Sequence, residues 1–256
     1  MYKSRRILLI APAFNEEGKI GEVVRRAPRD IVDVMLVVDD GSTDGTADAA
    51  RRYGAEIISL DRVYGVGYAI RHGFDEARRR SCDIVVVIAG NNKDAPEEIA
   101  RLLDPICDAD YDFVIGSRFL AGGSYGGDMP LYRKLATRLH PFLVSLFCGR
   151  SVTESSNGYR AMKVSVLDDP RIDLSQDWLD GYRLEVYLMM KLLKLGYRTT
   201  EVPVSKIYPS KAAGYTKMRP LVDWWRMLAP IFLVGLGIDR FVINGNGREF
   251  SRRPRG

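Results

Sequence analysis

Apolar and amphipathic segments alternate along the first hundred residues of the chain. Uninterrupted apolar runs predict buried strands, and apolar positions at helical spacing predict helices between them. The strands are predicted at residues 7–11, 34–38, 55–60 and 83–89, and the helices at residues 19–27, 46–53 and 65–80. Regular alternation of strand and helix predicts an α/β fold with a mostly parallel, Rossmann-like sheet and right-handed crossovers.

The alternation is less regular after residue 103. We predict strands at residues 113–117 and 199–204, helices at 131–147 and 180–195, and a glycine-rich loop at 121–127. Residues 206–218 are polar and are predicted to be mobile, whereas residues 220–238 are the most hydrophobic late segment. We therefore divide the chain into an α/β domain, residues 1–219, and a C-terminal amphipathic helix with a basic tail, residues 220–256.

Length and composition are those of a globular protein with a sizeable core. The chain has 256 residues and a formal net charge of +5. Part of this charge lies in the tail at residues 248–255, which is either solvated or in contact with anionic lipid. No pattern of interleaved aromatic and basic residues indicates nucleic acid as a partner.

The cysteines and the N-terminal residues indicate the cellular compartment of the protein. Cys82, Cys107 and Cys148 lack the spacing of metal ligands, which favours buried thiols in a reducing compartment. The apolar run at residues 7–11 is too short for the core of a signal peptide. We therefore expect a cytoplasmic protein.

The segment at residues 224–238 bears on membrane contact. Two tryptophans and an arginine open it, and its apolar part is shorter than the ~18–20 residues that span a bilayer. Such a segment is typical of a helix that lies in the membrane interface. A helix that completes the core or forms a homo-oligomer contact fits it equally well. We expect peripheral contact with the cytoplasmic face of a membrane rather than integration.

Two carboxylates directly follow the apolar run at residues 34–38. Asp39 and Asp40 lie at the end of this predicted strand, and open α/β sheets bind ligands at the carboxyl ends of their strands. A carboxylate there can accept the imide or amide N–H of a nucleobase. The competing interpretation is structural, with Asp39 ending the strand and Asp44 capping the next helix.

Three motifs together resemble the nucleotide-sugar half of the family-two glycosyltransferases. They are Pro12-Ala13-Phe14-Asn15-Glu16, the stretch from Val37 to Thr46, and the stretch from Gly65 to Phe74. Gly116-Ser117-Arg118, Ser156-Asn157-Gly158-Tyr159-Arg160 and residues 195–204 are similar to the branch that transfers sugars to dolichyl or polyprenyl phosphate. The resemblance spans residues 6–218 and implies a GT-A-like fold. It also implies an inverting enzyme that moves a hexose from a nucleotide-diphosphate sugar to a polyprenyl phosphate.

The resemblance assigns roles to individual residues. It implies contacts to the nucleotide sugar from Pro12, Ala13, Glu16, Asp39, Asp40, Arg118, Arg133 and Lys211. It implies a catalytic contribution from Arg118 and Lys217. Lys211 and Lys217 flank a glycine-containing loop that in this family closes over the donor and acceptor phosphates. A solvated side chain is the competing interpretation for each of these cations.

The metal motif of the family is altered in this chain. The family normally holds Mg²⁺ or Mn²⁺ through an Asp-x-Asp pair, and Ala89 and Asn91 stand at those positions. Alanine has no ligand atom and asparagine offers a neutral oxygen, whereas these cations are bound mainly by carboxylates. Three outcomes remain open. Asn91 and Asp94 hold the metal with phosphates and water, or Lys93 supplies the positive charge beside the donor, or the nucleotide sugar is bound weakly or not at all.

The acceptor decides whether a base is needed. A lipid phosphate is already an anion, so alignment and neutralisation of charge suffice. A hydroxyl acceptor needs a general base, for which Asp128 and Glu154 are the candidates. Two alternatives to a polyprenyl-phosphate transferase therefore remain: transfer to a soluble glycan or metabolite, and a nucleotide-sugar-binding protein with impaired catalysis.

Overall fold

A seven-stranded sheet forms the centre of the protein. The computed structural model describes residues 1–127, 131–208, 222–238, 240–244 and 247–251, and only the backbone of 131–133, 222–225, 240–244 and 247–251. The strands are β1 (Ile7–Ala13), β2 (Val34–Asp39), β3 (Glu56–Ser59), β4 (Ile84–Val87), β5 (Phe113–Ser117), β6 (Ser124–Gly127), β7 (Arg160–Lys163), β8 (Thr199–Pro203), β9 (Ser205–Tyr208), β10 (Arg240–Asn244) and β11 (Gly247–Ser251).

The order of the strands in the central sheet is β3–β2–β1–β4–β7–β5–β8. Neighbours are parallel, except that β7 runs antiparallel to β4 and β5. Two smaller pairs lie outside this sheet, the parallel pair β6–β9 and the antiparallel pair β10–β11. The mostly parallel α/β sheet predicted from the alternation of strand and helix is confirmed.

Helices cover both faces of the sheet. They are α1 (Glu17–Arg26), α2 (Thr46–Arg52), α3 (Val66–Arg79), α4 (Ile99–Ala109), α5 (Leu131–Cys148), α6 (Arg183–Lys194) and α7 (Val222–Gly235). Buried side chains of α1, α2 and α4 form one apolar cluster with the sheet. Buried side chains of α3, α5, α6 and α7 form the other. The fold therefore has three layers, with a core on each side of the sheet.

Strand β2 contacts both cores. Val34, Leu36 and Val38 lie in the cluster on the α3 face, and Met35 and Val37 lie in the cluster on the α1 face. Successive side chains of a strand point to opposite faces, so an uninterrupted apolar run is needed where both faces are covered. The sequence prediction for this strand is confirmed.

Two of the strands that were not predicted, β6 and β9, lie where the sequence indicates a loop. The glycine-rich segment at 121–127 contains β6, and the polar segment that begins at residue 206 opens within β9. These two short strands pair with each other, so each depends on a partner about 80 residues away in the chain. Long-range pairing of this kind leaves little trace in local composition, which is why both strands were predicted as loop.

Helix α7 packs on the domain core. Met227, Ile231 and Val234 are buried in the cluster on the α3 face, and Phe232 contacts Phe147 of α5 with ring centroids 5.5 Å apart. Phe232 and Leu236 remain 39% and 58% exposed. One face of α7 thus completes the core, as one of the two interpretations of this segment required. No helix within the described ranges has the length and apolar content to cross a membrane.

Candidate active site

A cavity of about 700 Å³ opens where β1, β2, β4 and β5 end. Most described residues that the sequence assigned to the nucleotide sugar line it together with Asn91, one of the two predicted metal ligands: Pro12, Ala13, Glu16, Asp40, Lys93 and Arg118. The carboxyl edge of a parallel sheet is where open α/β folds bind ligands. The fold therefore brings residues from Pro12 to Arg118 together around one cavity.

The loops after β1 and β2 form one side of the cavity. The backbone N–H of Asn15 donates to Oγ of Ser42 at 2.9 Å, and Oδ1 of Asn15 accepts the N–H of Thr43 at 2.8 Å. The N–H of Glu16 donates to Oγ1 of Thr46 at 2.8 Å. Asn15 has a φ of +49°, a conformation that asparagine tolerates better than most residues. Side-chain hydrogen bonds thus join the two motif loops.

The predicted carboxylates Asp39 and Asp40 have different surroundings. Both are buried, but only Asp40 lines the cavity. The two carboxylate oxygens of Asp40 accept the backbone N–H groups of Tyr64 and Gly65 at 2.8 and 2.9 Å. Asp39 accepts the N–H of Ser42 at 3.1 Å and closes the turn that follows β2. Between the two, the geometry favours Asp40 as a ligand contact and Asp39 as a turn residue.

Asp44 is not the N-cap residue of α2. Gly45 directly precedes α2, and Oδ1 of Asp44 accepts the N–H of Thr46 at 3.0 Å. The prediction that Asp44 is the N-cap residue is therefore wrong by one position, although its carboxylate still satisfies an N–H of the first turn. Glu16, the other carboxylate on this side, pairs with Lys19 at 2.9 Å.

Glycine permits the close approach that places the start of α3 at the cavity. A Cβ atom on Gly67 would lie 2.0 Å from the carbonyl oxygen of Leu179, and one on Gly65 would lie 2.4 Å from that of Asp180. Gly65 also has a φ of +120°. Only glycine fits such positions. The two glycines thus let the start of α3 pack against residues 179–180, while the N–H groups of Tyr64 and Gly65 donate to Asp40.

Arg118 occupies the opposite end of the cavity. The residue is buried, at 3% exposure. Nε donates to Oε2 of Glu154 at 2.6 Å, Nη2 donates to Oγ of Ser156 at 2.8 Å, and Nη1 donates to the hydroxyl of Tyr208. Burial opposes the charge of Arg118, but the Glu154 carboxylate more than offsets this and raises the pKa of the arginine. Arg118 is therefore a fixed cation and not a solvated one.

Glu154 is fully buried beneath Arg118. Its Oε1 accepts the backbone N–H groups of Ser155, Ser156 and Asn157 at 2.8–3.1 Å. Burial alone would raise its pKa, but Arg118 and these hydrogen bonds hold the pKa below its usual value. A carboxylate with 0% exposure and this many donors orders the loop at 154–157 and has no open face for an acceptor hydroxyl.

Strand β9 brings two residues that the sequence analysis did not single out. Lys206 and Tyr208 lie on its buried face, 8% and 2% exposed, and both line the cavity. Nζ of Lys206 donates to Oδ1 of Asp94 at 2.7 Å and to Oδ1 of Asn157 at 2.8 Å. Nζ of Lys93 lies 5.7 Å from the centroid of the Tyr208 ring. Residues 205–208 give no local signal of this strand, because Lys206 is buried and the apolar Ile207 is 66% exposed.

The predicted metal ligands are engaged elsewhere. Asn91 lines the cavity, and its Oδ1 accepts the backbone N–H of Lys93 at 3.2 Å. Asp94 is 2% exposed and pairs with Lys206, and its Oδ2 has no hydrogen-bond partner within the described part of the chain. No cluster of three potential ligands among His, Cys, Asp and Glu occurs in the described ranges. An ammonium group 2.7 Å from the single carboxylate would repel a divalent ion, so these residues do not fit a metal site.

Four predicted residues have side chains outside the part of the chain that the structure describes. Asp128, Lys211 and Lys217 lie outside the described residues, and the backbone alone is described at Arg133. Their assigned roles therefore stay predictions.

Fold and cavity together define a class of protein. A mostly parallel sheet with a ligand-sized cavity at its carboxyl edge is the architecture of a nucleotide-binding domain. The family described as Glycosyl transferase family 2 matches residues 8–171. The chain belongs to this family and is a glycosyltransferase, as the motifs indicated.

Curated relatives cover most of the chain. The polyprenol monophosphomannose synthase of Mycolicibacterium smegmatis is 32% identical over 224 residues, which are 84% of this chain and 82% of that protein. The undecaprenyl-phosphate mannosyltransferase of Micrococcus luteus is 32% identical over 220 residues, 83% of this chain and 87% of that protein. Both names fall within the branch that the motifs indicated.

A solved structure agrees on the fold. Glucosyl-3-phosphoglycerate synthase from Mycobacterium tuberculosis, in complex with Mn²⁺, uridine diphosphate and phosphoglyceric acid, superposes with a TM-score of 0.66. The alignment covers 99% of this chain and 88% of that one at 22% identity. The expected GT-A-like fold is confirmed.

Proposed function

We propose that this glycosyltransferase moves a hexose from a nucleotide-diphosphate sugar to a polyprenyl phosphate with inversion at the anomeric carbon. The observation that carries the proposal is the polarity of the cavity. A buried carboxylate, Asp40, lies at the end of β2. Around the ends of β4 and β5, four cations outnumber three carboxylates: Lys93, Arg118, Arg160 and Lys206 against Asp94, Glu154 and Glu185. A nucleotide sugar has the matching polarity, with N–H donors on its base and negative charge on its diphosphate. The named activities of the two curated relatives support the acceptor.

The proposed step is a single displacement. A phosphate oxygen of the acceptor forms a bond to the anomeric carbon, and the bond from that carbon to the diphosphate breaks. The electron pair leaves with the nucleoside diphosphate, which gains one negative charge. Attack opposite the leaving group inverts the configuration. Arg118, held in place by Glu154, lies where it can stabilise the charge that develops.

A phosphate acceptor suits the carboxylates of this site. Its oxygen is ionised at neutral pH, so no general base is required. Glu154, one of the two candidate bases, is fully buried and accepts hydrogen bonds from Arg118 and from three backbone N–H groups. This environment supports an anionic acceptor over a hydroxyl acceptor, for which Glu154 would have to be accessible.

The outer face of α5 supports contact with a membrane surface. Large apolar side chains recur there at helical spacing and are 52–71% exposed: Leu135, Leu139, Phe142 and Leu146. We name these four residues the α5 stripe. Exposed Lys134 and Arg138 lie on the same helix, and Thr137 on its buried side lines the cavity. An apolar stripe flanked by cations suits an anionic lipid interface, and it adjoins the site where a lipid phosphate would react.

A transfer assay tests the proposed function. Purified protein is incubated with a panel of labelled nucleotide-diphosphate hexoses and with polyprenyl phosphate in detergent, and label in the lipid phase is measured. We expect lipid-linked sugar with one or more donors. Transfer to soluble glycans alone would contradict the acceptor, and saturable binding of the nucleotide sugar without turnover would contradict the enzymatic role. Heat-inactivated protein and a dephosphorylated polyprenol are the controls.

A further inference from the structure

We propose that a triad of fixed side-chain cations, Lys93, Arg118 and Lys206, takes the place of a divalent metal ion beside the donor diphosphate, with Lys206 as its anchor. The inference rests on the proposed function in one respect, that a nucleoside diphosphate occupies the cavity. It concerns the chain's own residues, because the altered Asp-x-Asp positions do not fit a metal.

Lys206 is held with little freedom to move. Its Nζ atom donates to Oδ1 of Asp94 at 2.7 Å and to Oδ1 of Asn157 at 2.8 Å. The backbone supports the same contact, since the N–H of Ile207 donates to the carbonyl of Lys93 at 2.7 Å. Lys206 is 8% exposed and still lines the cavity. A cation already fixed before the ligand arrives stabilises charge without further ordering.

Tyr208 brings the other two cations close to Lys206. The ring of Tyr208 faces Nζ of Lys93 at 5.7 Å, within the range of a cation–π contact, and its hydroxyl accepts a hydrogen bond from Arg118. Lys206 and Tyr208 are two positions apart on β9, so their side chains share one face. The triad therefore comes from three segments: the loop after β4, the end of β5 and β9.

The charges around the altered motif account for binding of a diphosphate without a metal ion. Two aspartates and one divalent ion sum to no net charge. At the corresponding positions this chain has the neutral Ala89 and Asn91, and close by it has Lys93 together with the Lys206–Asp94 pair. The loss of both carboxylates removes the need for an ion that would balance them. Counting Lys93, Arg118, Arg160 and Lys206 against Asp94, Glu154 and Glu185 leaves one net positive charge beside the place where the diphosphate leaves.

Binding experiments with and without a chelator test the inference independently of turnover. We expect UDP or GDP to bind more tightly than the corresponding nucleoside, and the difference to stay within about twofold between EDTA and Mn²⁺. Lys206→Met should lower the affinity for the diphosphate by about tenfold or more while leaving the affinity for the nucleoside unchanged. An advantage of the diphosphate that disappears in EDTA, or no diphosphate binding at all, overturns the inference.

Variants control for loss of the fold. Lys206→Met alone leaves a buried carboxylate unpaired, so the double variant Lys206→Met/Asp94→Asn, which removes both charges, is measured beside it. The double variant should fold, as judged by circular dichroism, and should still lose the diphosphate affinity. Lys206→Arg should retain most of it. Lys163→Met, which breaks an ion pair with Asp110 and Asp112 at the other edge of the sheet, should leave binding unchanged. Normal diphosphate affinity in the folded double variant overturns the inference.

Turnover then separates this inference from the proposed function. Transfer to polyprenyl phosphate that requires added Mn²⁺ overturns the metal substitution and leaves the proposed function intact. Diphosphate binding that is insensitive to EDTA, without transfer to any lipid phosphate, overturns the proposed function and leaves the cation triad intact. Transfer at equal rates in EDTA and in Mn²⁺ is the result expected when both hold.

Discussion

Nε of Arg118 donates to Oε2 of Glu154 at 2.6 Å, and the two side chains are 2% and 0% exposed. The pair joins the end of β5 to the loop at 154–157, whose backbone N–H groups converge on the same carboxylate. Because removal of one partner leaves a buried charge unpaired, this contact links the stability of the fold to the chemistry of the cavity.

Substitutions in this pair should separate stability from turnover. Arg118→Met is expected to lower the free energy of unfolding by about 3–5 kcal/mol, the usual effect of breaking a buried pair. The double variant Arg118→Met/Glu154→Gln removes both charges and should recover much of that loss. Both proteins should have almost no transferase activity, since Arg118 is the cation at the leaving group. Urea unfolding and the transfer assay measure the two effects. A double variant as unstable as the single one would contradict the role of the ion pair.

Asp40 and Asp39 should differ in their effect on nucleotide binding. Asp40→Asn removes an acceptor for the N–H groups of Tyr64 and Gly65 on the cavity wall, so we expect the nucleotide affinity to fall by about tenfold, or about 1.4 kcal/mol. Asp39→Asn weakens a turn and should lower stability with little effect on affinity. Isothermal titration calorimetry and thermal unfolding distinguish the two. Equal loss of affinity in both variants would show that the second carboxylate also acts on the ligand.

The central sheet could be predicted from the sequence because its strands are local and continuous signals. Val34 to Val38 must be apolar throughout, since helices cover both faces of β2. β7 was missed because its four residues, Arg160 to Lys163, begin and end with a cation. It forms a strand only because β4 and β5 flank it. The conformation of this segment depends on pairing with β4 and β5, so the local sequence pattern did not predict it.

Part of the candidate site could also be predicted from the order of the strands. Asp40 and Arg118 follow strands whose carboxyl ends meet, so their position on one cavity followed from topology. Lys206 and Asn157 come from segments about 50 residues apart, and no local pattern indicates that Lys206 joins Asn157 to Asp94 in the loop after β4. The burial of Glu154 likewise depends on Arg118. Polar networks of this kind are set by three-dimensional packing and not by motif spacing.

His140 should make the stability of the protein depend on pH. Its side chain is 1% exposed, Nδ1 lies 2.6 Å from Oγ of Ser155, and burial lowers its pKa to about 4. The folded state therefore stays neutral at a pH where the unfolded state, with a pKa of about 6.5, takes up a proton. Stability falls as the pH drops from about 6.5 towards about 4, by up to about 3 kcal/mol in total.

The matching variant isolates this effect. His140→Leu cannot titrate, so its free energy of unfolding should change less than that of the wild type between about pH 7 and about pH 5. The charged groups that act on His140, Glu154 and Arg160, are the same in both proteins. Urea unfolding at several pH values gives the two slopes. Parallel slopes would show that His140 is not the group responsible.

The α5 stripe should support binding to lipid. Leu139→Glu/Phe142→Glu places two carboxylates among apolar side chains that are 52% and 61% exposed, and we expect co-sedimentation with anionic liposomes to fall several-fold. Tyr53→Glu, at an exposed position at the end of α2, is the matched control and should sediment like the wild type. The fold should survive both changes, as checked by thermal unfolding. Equal sedimentation of all three proteins at low salt would contradict a membrane role for this helix.

Restoring the family's carboxylates should create dependence on a metal. The double variant Ala89→Asp/Asn91→Asp adds two oxygen ligands at the cavity without a balancing cation, so bound nucleotide and Mn²⁺ should each strengthen the binding of the other. Its transfer activity should fall in EDTA and return with Mn²⁺, and calorimetry should detect binding of Mn²⁺ that the wild type lacks. Asn92→Asp is the control, because the side chain of Asn92 accepts a hydrogen bond from Arg26 at 2.9 Å. If Mn²⁺ changes neither the nucleotide affinity nor the activity of the double variant, the charge of Lys206 prevents binding of the ion even when both carboxylates are present. If the wild type already binds Mn²⁺ with similar affinity, the altered motif has not removed the metal site.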